Sequence, residues 1–373
     1  MLTTLDDLRR FAVARSLFKP TTLKRALDRL GFVQADPIRA PARAQDLILR
    51  HRVGDYHAGD LERFYPKLGI EEDFFVVYGF LPKPVQMLMH PRANAGVPAE
   101  GSGSWPAARE KRAKLLLDFV RTNGTAHPRE VDGYFSHGRV RNYWGGSSNA
   151  TTHLLTAMHY RGMLRVVRRE SGVRIYAAQS GAVEPGDSAQ RLARIDALVD
   201  VAVRTYAPLP APCLADLVRR LRFAVPQWRD ELKNALQRAK QRLCQARVGG
   251  VDWYWPVEEN PARFESPTTV RLLTPFDPVV WDRERFELLW GWVYRFEAYT
   301  PVHKRKLGYY AMPLLWRDRI VGWANISVGR GRLQPEFGYV KSRAPRDRSF
   351  KRELEAELDR MASFLQLDAK SKV

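Results

Sequence analysis

An amide and a carboxylate stand two residues apart within the segment Gly31-Phe32-Val33-Gln34-Ala35-Asp36-Pro37-Ile38. If this segment is extended, Gln34 and Asp36 point to the same face of the chain. A carboxylate beside an amide, which both donates and accepts hydrogen bonds, can hold one water molecule between them. The alternative is ordinary turn chemistry, because an Asp before a Pro commonly caps the turn that follows. Gln34 and Asp36 are therefore candidate catalytic residues, with turn capping as the competing interpretation.

The chain as a whole is strongly basic and long enough for several domains. Its 373 residues include 61 Lys and Arg against 41 Asp and Glu, which gives a net charge of +20. A surplus of this size favours a polyanionic partner, because basic side chains release counterions from phosphates when they bind. A solvated basic surface without a partner is the alternative. An acidic membrane surface is disfavoured, since no strongly amphipathic basic helix with a bulky apolar face is evident.

Targeting and metal signals are lacking in the sequence. Residues 1–10 contain acids and arginines and do not look like a signal peptide, and no apolar run approaches the roughly 18 residues of a membrane span. Cys213 and Cys244 form neither a ligand pair nor a disulfide framework, and the histidines show no HExxH pattern. We expect a cytoplasmic, nucleoid-associated protein with no metal and no other cofactor.

The elements around the Gln34–Asp36 pair predict a first winged helix over residues 1–95. Residues 5–18 and 22–30 are expected to be short helices, with Thr21 or Thr22 as the N-cap of the second. Residues 41–50 are expected to be helical again. Short helices with a strand immediately after them follow the order of a winged helix-turn-helix. The segment 61–95 is aromatic and interrupted by prolines, and no role is assigned to it.

A second winged helix is predicted over residues 104–180, after a Gly-, Pro- and Ser-rich linker. Helices are expected at 107–122, 127–135 and 147–164, the last capped by Ser147 or Ser148. The stretches LRVVRR and VRIYAA then flank Glu170-Ser171-Gly172, a turn typical of a β-hairpin. The alternative is a small α+β module used for protein contacts.

The same order of helices followed by a hairpin recurs over residues 187–258, and a pattern typical of strands follows it. Helices are expected at 188–206, 212–222 and 227–242, followed by a hairpin that turns at Gly249-Gly250. From 268 to 345 alternating apolar residues, including YRFEAYTP at 294–301, predict a small antiparallel β-barrel or sheet. Residues 346–366 form a closing amphipathic helix. The predicted fold class is α+β, with three tandem winged helix-turn-helix motifs, a C-terminal antiparallel β-barrel and a closing helix.

Several basic side chains are candidate contacts to duplex DNA. For Arg43 a salt bridge to Asp46 or another acid is an equal alternative, and for the cluster at 304–306 the alternative is a solvated loop. The glycines at the hairpin tip 329–332 would let the backbone approach a groove that the arginines could enter. Four tryptophans (Trp253, Trp255, Trp281 and Trp290) are expected in the core rather than as stacking platforms. The DNA-contact candidates are Arg43, Arg139, Arg141, Lys304, Arg305, Lys306, Arg330 and Arg332.

Three stretches of the sequence resemble a known family. They are GFVQADPI, the PARAQDLILRHR that follows, and the block LLTPFDPVVWDRERFELLWGWVYRFEAYTPVHKRKLGYYAMPLLWRDRIVGWANIS. All three resemble the winged-helix DNA glycosylases of the AlkZ/YcaQ-like family, which unhook alkylation damage including interstrand crosslinks. The resemblance covers nearly the whole chain and implies three winged-helix motifs plus a β-barrel. It also implies that Gln34-Ala35-Asp36 is the family's Gln-x-Asp motif, in which Ala35 departs mildly from the usual larger aliphatic residue.

The resemblance implies hydrolysis of an N-glycosidic bond to N7-alkylated guanine. The alkylated base is already cationic and leaves readily, so Asp36 would activate water and stabilise the sugar while Gln34 orients the water or the sugar. No lysine lies inside the motif to form a Schiff base, so we expect a monofunctional glycosylase, although Lys24 or a distant lysine could approach in space. A crosslinked guanine cannot swing out freely, which favours attack with the base still near the helix.

Two other function classes fit parts of the sequence. Tandem winged helices alone favour a transcription regulator, which would prefer one operator sequence and tolerate Asp36→Asn. A glycosylase would instead bind DNA with little sequence preference, recognise damage and lose activity with that substitution. An RNA-binding factor fits the charge, but no RNA-binding module is recognisable. With the resemblance, a glycosylase acting as a monomer on double-stranded DNA is the preferred prediction.

Overall fold

The computed structural model describes residues 3–92, 105–135, 138–141, 147–179 and 186–367. The fold mixes helices and sheets and divides into two compact units. Unit 1 comprises Met1–Leu61, Asp200–Asp216 and Gln237–Val373, and unit 2 comprises Glu62–Val199 and Leu217–Leu236.

The helices follow one another along the whole chain. In order they are α1 Leu5–Ser16, α2 Leu23–Leu30, α3 Ala44–Leu49, α4 Asp60–Phe64, α5 Lys83–Met87, α6 Ala107–Asn123, α7 Pro128–Phe135, α8 Ala150–Tyr160, α9 Ser188–Tyr206, α10 Ala211–Arg220, α11 Ala235–Arg242, α12 Arg283–Trp290 and α13 Arg348–Phe364. No helix in the described ranges is both long enough and apolar enough to cross a membrane.

The strands are short except in the C-terminal sheet. In order they are β1 Val33–Gln34, β2 Ile70–Phe74, β3 Tyr78–Pro82, β4 Arg139–Arg141, β5 Ser147–Asn149, β6 Leu164–Glu170, β7 Val173–Ala178, β8 Leu209–Pro210, β9 Leu243–Val248, β10 Val251–Pro256, β11 Val270–Leu272, β12 Met312–Trp316, β13 Arg319–Gly329 and β14 Arg332–Tyr339.

Local capping fixes the two helices that precede the Gln34–Asp36 pair. The Thr4 hydroxyl accepts a hydrogen bond from the Asp7 backbone N–H at 3.1 Å, and the Thr4 N–H donates to the Asp7 carboxylate at 2.9 Å, which is a capping box at the start of α1. Thr22 caps α2, as expected. α2 ends at Gly31, whose φ of 70° is a left-handed conformation that a side chain would strain. The chain is thereby turned out of the helix directly into β1.

A fully buried guanidinium ties three parts of unit 1 together. Arg52 donates to the Ser16 carbonyl at 2.9 Å, to the Ser16 hydroxyl at 3.1 Å and to the Ile48 carbonyl at 2.6 Å. It also donates to both oxygens of Asp277, at 2.8 and 3.0 Å, and neither side chain of this pair is exposed. The guanidinium thus makes five hydrogen bonds, which matches its five N–H donors. The end of α1, the end of α3 and the turn before α12 are joined at this residue.

The C-terminal sheet is open, so the predicted β-barrel is wrong. Its strands lie in the order β11-β12-β13-β14, all antiparallel, and β11 and β14 form its two edges. Side chains of α13 satisfy the outer edge of β11, because Glu357 accepts from the Leu272 N–H at 2.9 Å and Arg360 donates to the Val270 carbonyl at 3.0 Å. A covered edge does not need another strand, and the closing helix therefore replaces barrel closure.

Two further predictions are corrected. Residues 294–301 are not a strand, since the aromatic alternation there belongs to a loop after α12, a helix that the sequence did not suggest. Residues 227–242, expected as one helix, consist of 3₁₀ turns at Pro226–Trp228 and Glu231–Asn234 followed by α11. The hairpin of β9 and β10 turns at Gly249 and Gly250, as expected. Trp253 and Trp255 of β10 lie in the core.

Within the segment that lacked an assignment, β2 and β3 form a hairpin with three consecutive buried acids. Each acid is paired with an arginine of unit 2: Glu71 with Arg165 at 2.5 Å, Glu72 with Arg169 at 2.6 Å and Asp73 with Arg92 at 2.6 Å. Burial raises the pKa of Asp73, but Arg92 and His90 outweigh it and hold that pKa well below its usual range. The hairpin is therefore anchored to β6 by charge pairs.

The second predicted module shows one local error. Helices α6 and α7 and the β6–β7 hairpin lie where they were expected, and the hairpin turns at Ser171 and Gly172. α8 begins later than expected, because residues 147–149 pair with residues 139–141 as a strand. Its N-cap is Asn149 rather than Ser147 or Ser148. The Asn149 side chain accepts from the Thr152 N–H at 3.0 Å and donates to Asp132 at 2.6 Å.

The Arg52–Asp277 pair generates a stability prediction. Asp277→Asn leaves a buried guanidinium without its counter-charge, so we expect the free energy of unfolding to fall by about 3–5 kcal/mol. Asp28→Asn is the control, because Asp28 pairs with Lys24 at an exposed site and should change stability by less than about 1 kcal/mol. Chemical denaturation of both variants measures the difference. Equal midpoints for the two variants would contradict the prediction.

Candidate active site

The Gln34 amide lies at the end of a very short strand. β1 stops at Gln34, so the extended run expected from Phe32 to Asp36 is shorter than predicted. The Gln34 side-chain oxygen Oε1 is buried and accepts no hydrogen bond from the described part of the protein. An unpaired buried acceptor carries a cost of about 1–3 kcal/mol unless a donor reaches it. A water molecule or a bound ligand would supply such a donor.

The Asp36 carboxylate is half-buried and divides its two oxygens between different roles. Oδ1 accepts from the Ile38 backbone N–H at 2.9 Å, which is the turn-capping interaction proposed as the alternative interpretation. Oδ2 has no hydrogen-bond partner among the described residues. Burial raises the pKa of the Asp36 carboxyl, and the hydrogen bond from Ile38 offsets part of the rise. One oxygen is therefore held in place while the other can accept a proton from water.

The charge of Asp36 acts on the phenols of two tyrosines, Tyr299 and Tyr310. Burial, and then the Asp36 charge, raise the pKa of the Tyr299 phenol. The same two causes raise the pKa of Tyr310, against the hydrogen bond of 2.9 Å between its hydroxyl and Thr274. Tyr310 is buried, whereas Tyr299 is 77% exposed. Both rings pack edge-on against Phe296, at centroid distances of 5.4 and 6.1 Å. We call these three rings the aromatic wall.

A buried acid fixes the loop that follows this wall. Glu297 accepts three backbone N–H bonds, from Lys306 at 2.8 Å, from Leu307 at 2.7 Å and from Gly308 at 3.3 Å. Gly308 has φ of 111°, and a Cβ at that position would lie 2.3 Å from the Asn325 side-chain nitrogen of β13. The close approach requires glycine there. The loop is consequently held against β13 at one side of the candidate site.

The structure divides the predicted basic cluster of this loop. Lys304 and Lys306 are exposed to solvent. Arg305 is half-buried, donates from Nε to the Thr300 carbonyl at 2.8 Å and lies 5.1 Å from the centre of the Tyr309 ring. Arg305 therefore has a structural task in addition to any contact with DNA. Lys304 lies on the loop between Tyr299 and Leu307, and so does Lys306. The backbone N–H of Leu307 donates to Glu297.

The hairpin tip shares a strand with this loop. Arg330 and Arg332 are exposed at the turn between β13 and β14, and Arg330 has a positive φ of 51°. Asn325, which contacts the loop at Gly308, lies five residues before Arg330 on the same chain segment. At the rise of an antiparallel strand this corresponds to about 17 Å. Loop and tip therefore belong to one continuous edge of unit 1.

The remaining predicted DNA contacts lie on other elements. Arg43 precedes α3, and its charge lowers the pKa of Asp46 against the larger effect of burial, which favours the structural alternative for Arg43. Arg139 is exposed on β4 of unit 2, and the side chain of Arg141 lies outside the described residues. No group of three or more His, Cys, Asp or Glu side chains in the described ranges could hold a metal ion.

Sequence reasoning missed Tyr299 and Glu297. Both lie in residues 294–301, where alternating aromatic residues were interpreted as a strand. The available signal was the Pro301 and Gly308 pair flanking a basic run, which is typical of a loop. What that loop packs against depends on tertiary contacts that the local sequence does not specify.

Comparisons with known proteins agree with this architecture. A family model described as DNA glycosylase AlkZ-like matches residues 27–364. Among solved structures the chain is similar to the Streptomyces sahachiroi DNA glycosylase AlkZ, with a TM-score of 0.64, 14% sequence identity and 98% of each chain covered. At that identity the structural likeness establishes the fold. The family match spans most of the chain and includes both Gln34 and Asp36, so the chain belongs to the AlkZ-like DNA glycosylase family.

Proposed function

We propose that this DNA glycosylase hydrolyses the N-glycosidic bond of N7-alkylated guanine in duplex DNA and uses Asp36 to activate water. The observation that carries the proposal is the arrangement of Asp36, with Oδ1 held by Ile38 and Oδ2 without a hydrogen-bond partner among the described residues. Gln34 supports it, because its buried Oε1 needs a donor and a water molecule bound to Asp36 would provide one.

Departure of the alkylated base does not require a general acid. Alkylation at N7 makes the base cationic, so it departs without further protonation, and the demanding steps lie on the sugar. The sugar gains oxocarbenium character in the transition state, which a nearby carboxylate stabilises. Asp36 Oδ2 accepts the proton of the attacking water, and Gln34 orients that water or the sugar. General-base help of this kind contributes about 10²–10⁴ in rate.

Water, rather than an amine, is the proposed nucleophile, which makes the enzyme monofunctional. The lysine nearest to the motif in sequence, Lys24, is exposed and pairs with Asp28 at 2.7 Å. A lysine whose amine is engaged with a carboxylate is not free to attack the sugar. We therefore expect an abasic site without strand cleavage.

The proposal extends to interstrand crosslinks. A guanine tied to the opposite strand stays near the helix, so the enzyme must reach the sugar at the duplex surface. We expect the half-buried Asp36 carboxylate, with the exposed Lys304, Lys306 and tip arginines in the same unit, to suit that approach. We also assign three winged-helix motifs to the helix-rich part of the chain, because helices followed by a hairpin occur at α1–α4 with β2–β3, at α6–α8 with β6–β7 and at α9–α11 with β9–β10.

The first test is base release. Wild-type protein should release 7-methylguanine from a methylated duplex, and Asp36→Asn should slow release by about 10² or more while still binding DNA. Gln34→Ala should slow it less, since it removes orientation but keeps the base. Asp28→Asn is the matched control and should keep wild-type rates. If wild type releases neither 7-methylguanine nor an N7 nitrogen-mustard crosslink while binding duplex, the enzyme assignment fails and a regulator is favoured.

The second test is the pH dependence of release. Burial raises the pKa of Asp36, so activity should fall on its acidic side at a pH above the ordinary aspartate value of 3.8. A raised carboxyl pKa also means that ionised Asp36 destabilises the fold. Asp36→Asn should therefore be at least as stable as wild type at neutral pH, and its advantage should shrink as pH falls through the raised pKa.

Single-turnover rates and melting temperatures between about pH 4 and pH 8 measure both effects. Gln34→Ala is the control, because an amide does not titrate and the acidic limb should keep its position. An acidic limb that remains unchanged in the Asp36→Asn variant would show that another group is the base.

The third test concerns the basic edge. Replacing Arg330 and Arg332 with Gln should weaken binding to undamaged duplex and reduce the slope of log K against log salt by about 0.9 for each phosphate that the variant no longer neutralises. Lys304→Gln with Lys306→Gln should act in the same way. Arg352→Gln, on the exposed side of α13, removes one positive charge elsewhere and should leave the slope nearly unchanged. Identical salt slopes in all variants would exclude this edge from DNA binding.

A further inference from the structure

A second site in unit 1 is built from arginines that the glycosylase proposal does not use. A pocket of about 340 Å³ opens between the end of α3, β11 and the C-terminal part of α13. At roughly 30 Å³ for each water, it has room for about eleven water molecules. Its wall includes Arg50, Thr269, Arg271, Arg360 and Ser363, with the exposed Asp55 among the lining residues. We call it the arginine pocket.

The arginines of this pocket share a single buried carboxylate. Glu357 is fully buried and accepts from Arg50, from Arg360 at 3.1 Å and from the Leu272 backbone N–H at 2.9 Å. Three guanidiniums, including that of Arg271, thus surround one acid. The neighbouring Arg52 does not add to the count, because Asp277 neutralises it. Two positive charges are left over at the wall, and the exposed Asp55 offsets them only from the solvent side.

The contact between Arg271 and His51 supports this charge count. His51 donates from Nε2 to the Leu272 carbonyl at 2.9 Å, and its Nδ1 lies 3.3 Å from an Arg271 nitrogen. Burial, then the charges of Arg50 and Arg271, lower the pKa of His51 well below its usual value. A neutral His51 accepts from Arg271 and donates to Leu272, so it brings no counter-charge. Burial and the other arginines also lower the pKa of Arg271, against the attraction of Glu357.

Two buried polar atoms at the pocket wall lack hydrogen-bond partners in the described part of the chain. They are the Arg50 Nε and the Thr269 hydroxyl. The Arg50 side chain is only 3% exposed, so bulk water does not readily satisfy its donor. A guanidinium N–H and a hydroxyl can both donate to an oxygen atom placed between them. Unsatisfied donors beside uncompensated positive charge are features of an anion-binding site.

We propose that the arginine pocket binds a phosphate group. A phosphate dianion matches the two uncompensated charges, and its oxygens suit the planar fork of Arg271 and the donors at Arg50 and Thr269. A carboxylate ligand would bring only one charge. The phosphate can come from the DNA backbone or from inorganic phosphate in solution. The inference does not depend on the glycosidic reaction.

Thermal unfolding in inorganic phosphate tests the pocket itself. Phosphate should raise the melting temperature of wild type more than chloride at equal ionic strength, because a ligand stabilises the state that binds it. Arg271→Gln should weaken phosphate binding at least tenfold and should fold normally, since it removes a repelling charge. Thr269→Val keeps the side-chain shape and should weaken binding a few-fold. The Arg352→Gln control, on the same helix as Arg360, should respond like wild type.

Binding to undamaged duplex separates the two sources of phosphate. If Arg271→Gln lowers duplex affinity and reduces the salt slope by about 0.9, the pocket takes a backbone phosphate of DNA. If duplex binding is unchanged while inorganic phosphate still stabilises only the proteins with an intact pocket, the source is free phosphate. The proposal is overturned if phosphate stabilises wild type no more than chloride does, or if Arg271→Gln responds to phosphate as wild type does.

Discussion

The buried ion pair between Arg52 and Asp277 is the constraint on which unit 1 depends. A guanidinium without access to water must place all of its N–H donors on protein acceptors, and Arg52 does so on Ser16, Ile48 and Asp277. The acceptors come from the N-terminal helices and from the turn before α12. The segment with Gln34 and Asp36 lies between those helices, and Tyr299 and Tyr310 follow that turn. Arg52 therefore joins the helices on either side of the Gln34–Asp36 segment to the turn that precedes the two tyrosines in the chain.

Much of the fold was predictable because local chemistry decides it. Thr22 caps α2, Gly249 and Gly250 turn a hairpin, and residues 188–206 form the helix that their periodicity indicates. The errors arose where a distant side chain competes with a local signal. Asn149 displaces Ser147 and Ser148 as a cap because it also reaches Asp132. The edge of β11 is satisfied by Glu357 and Arg360, more than 80 residues away, so alternation alone could not distinguish a barrel from an open sheet.

The candidate site was predictable in part for the same reason. Gln34 and Asp36 were identified from residue type and spacing, which act within one short segment. Both interpretations of Asp36 hold together, since one oxygen caps the turn while the other remains available. The aromatic wall was missed because Tyr299 is more than 260 residues from Asp36 in the sequence, although the Asp36 charge acts on it. Glu297 was missed because an acid that binds backbone N–H groups has no distinctive sequence pattern.

The net charge of +20 does not indicate where DNA binds, because many of the arginines hold the fold together. Arg92 and Arg285 are fully buried and donate mainly to backbone carbonyls, as with the contacts of Arg285 to Pro278 and Val279. Such side chains contribute to composition but present no charge at a surface. The electrostatic attraction for phosphate must come from exposed side chains, such as Lys304 and Lys306, and from buried arginines that outnumber their acids. The arginine pocket belongs to the second class, which composition cannot reveal, since it depends on which acids come close enough to neutralise each guanidinium.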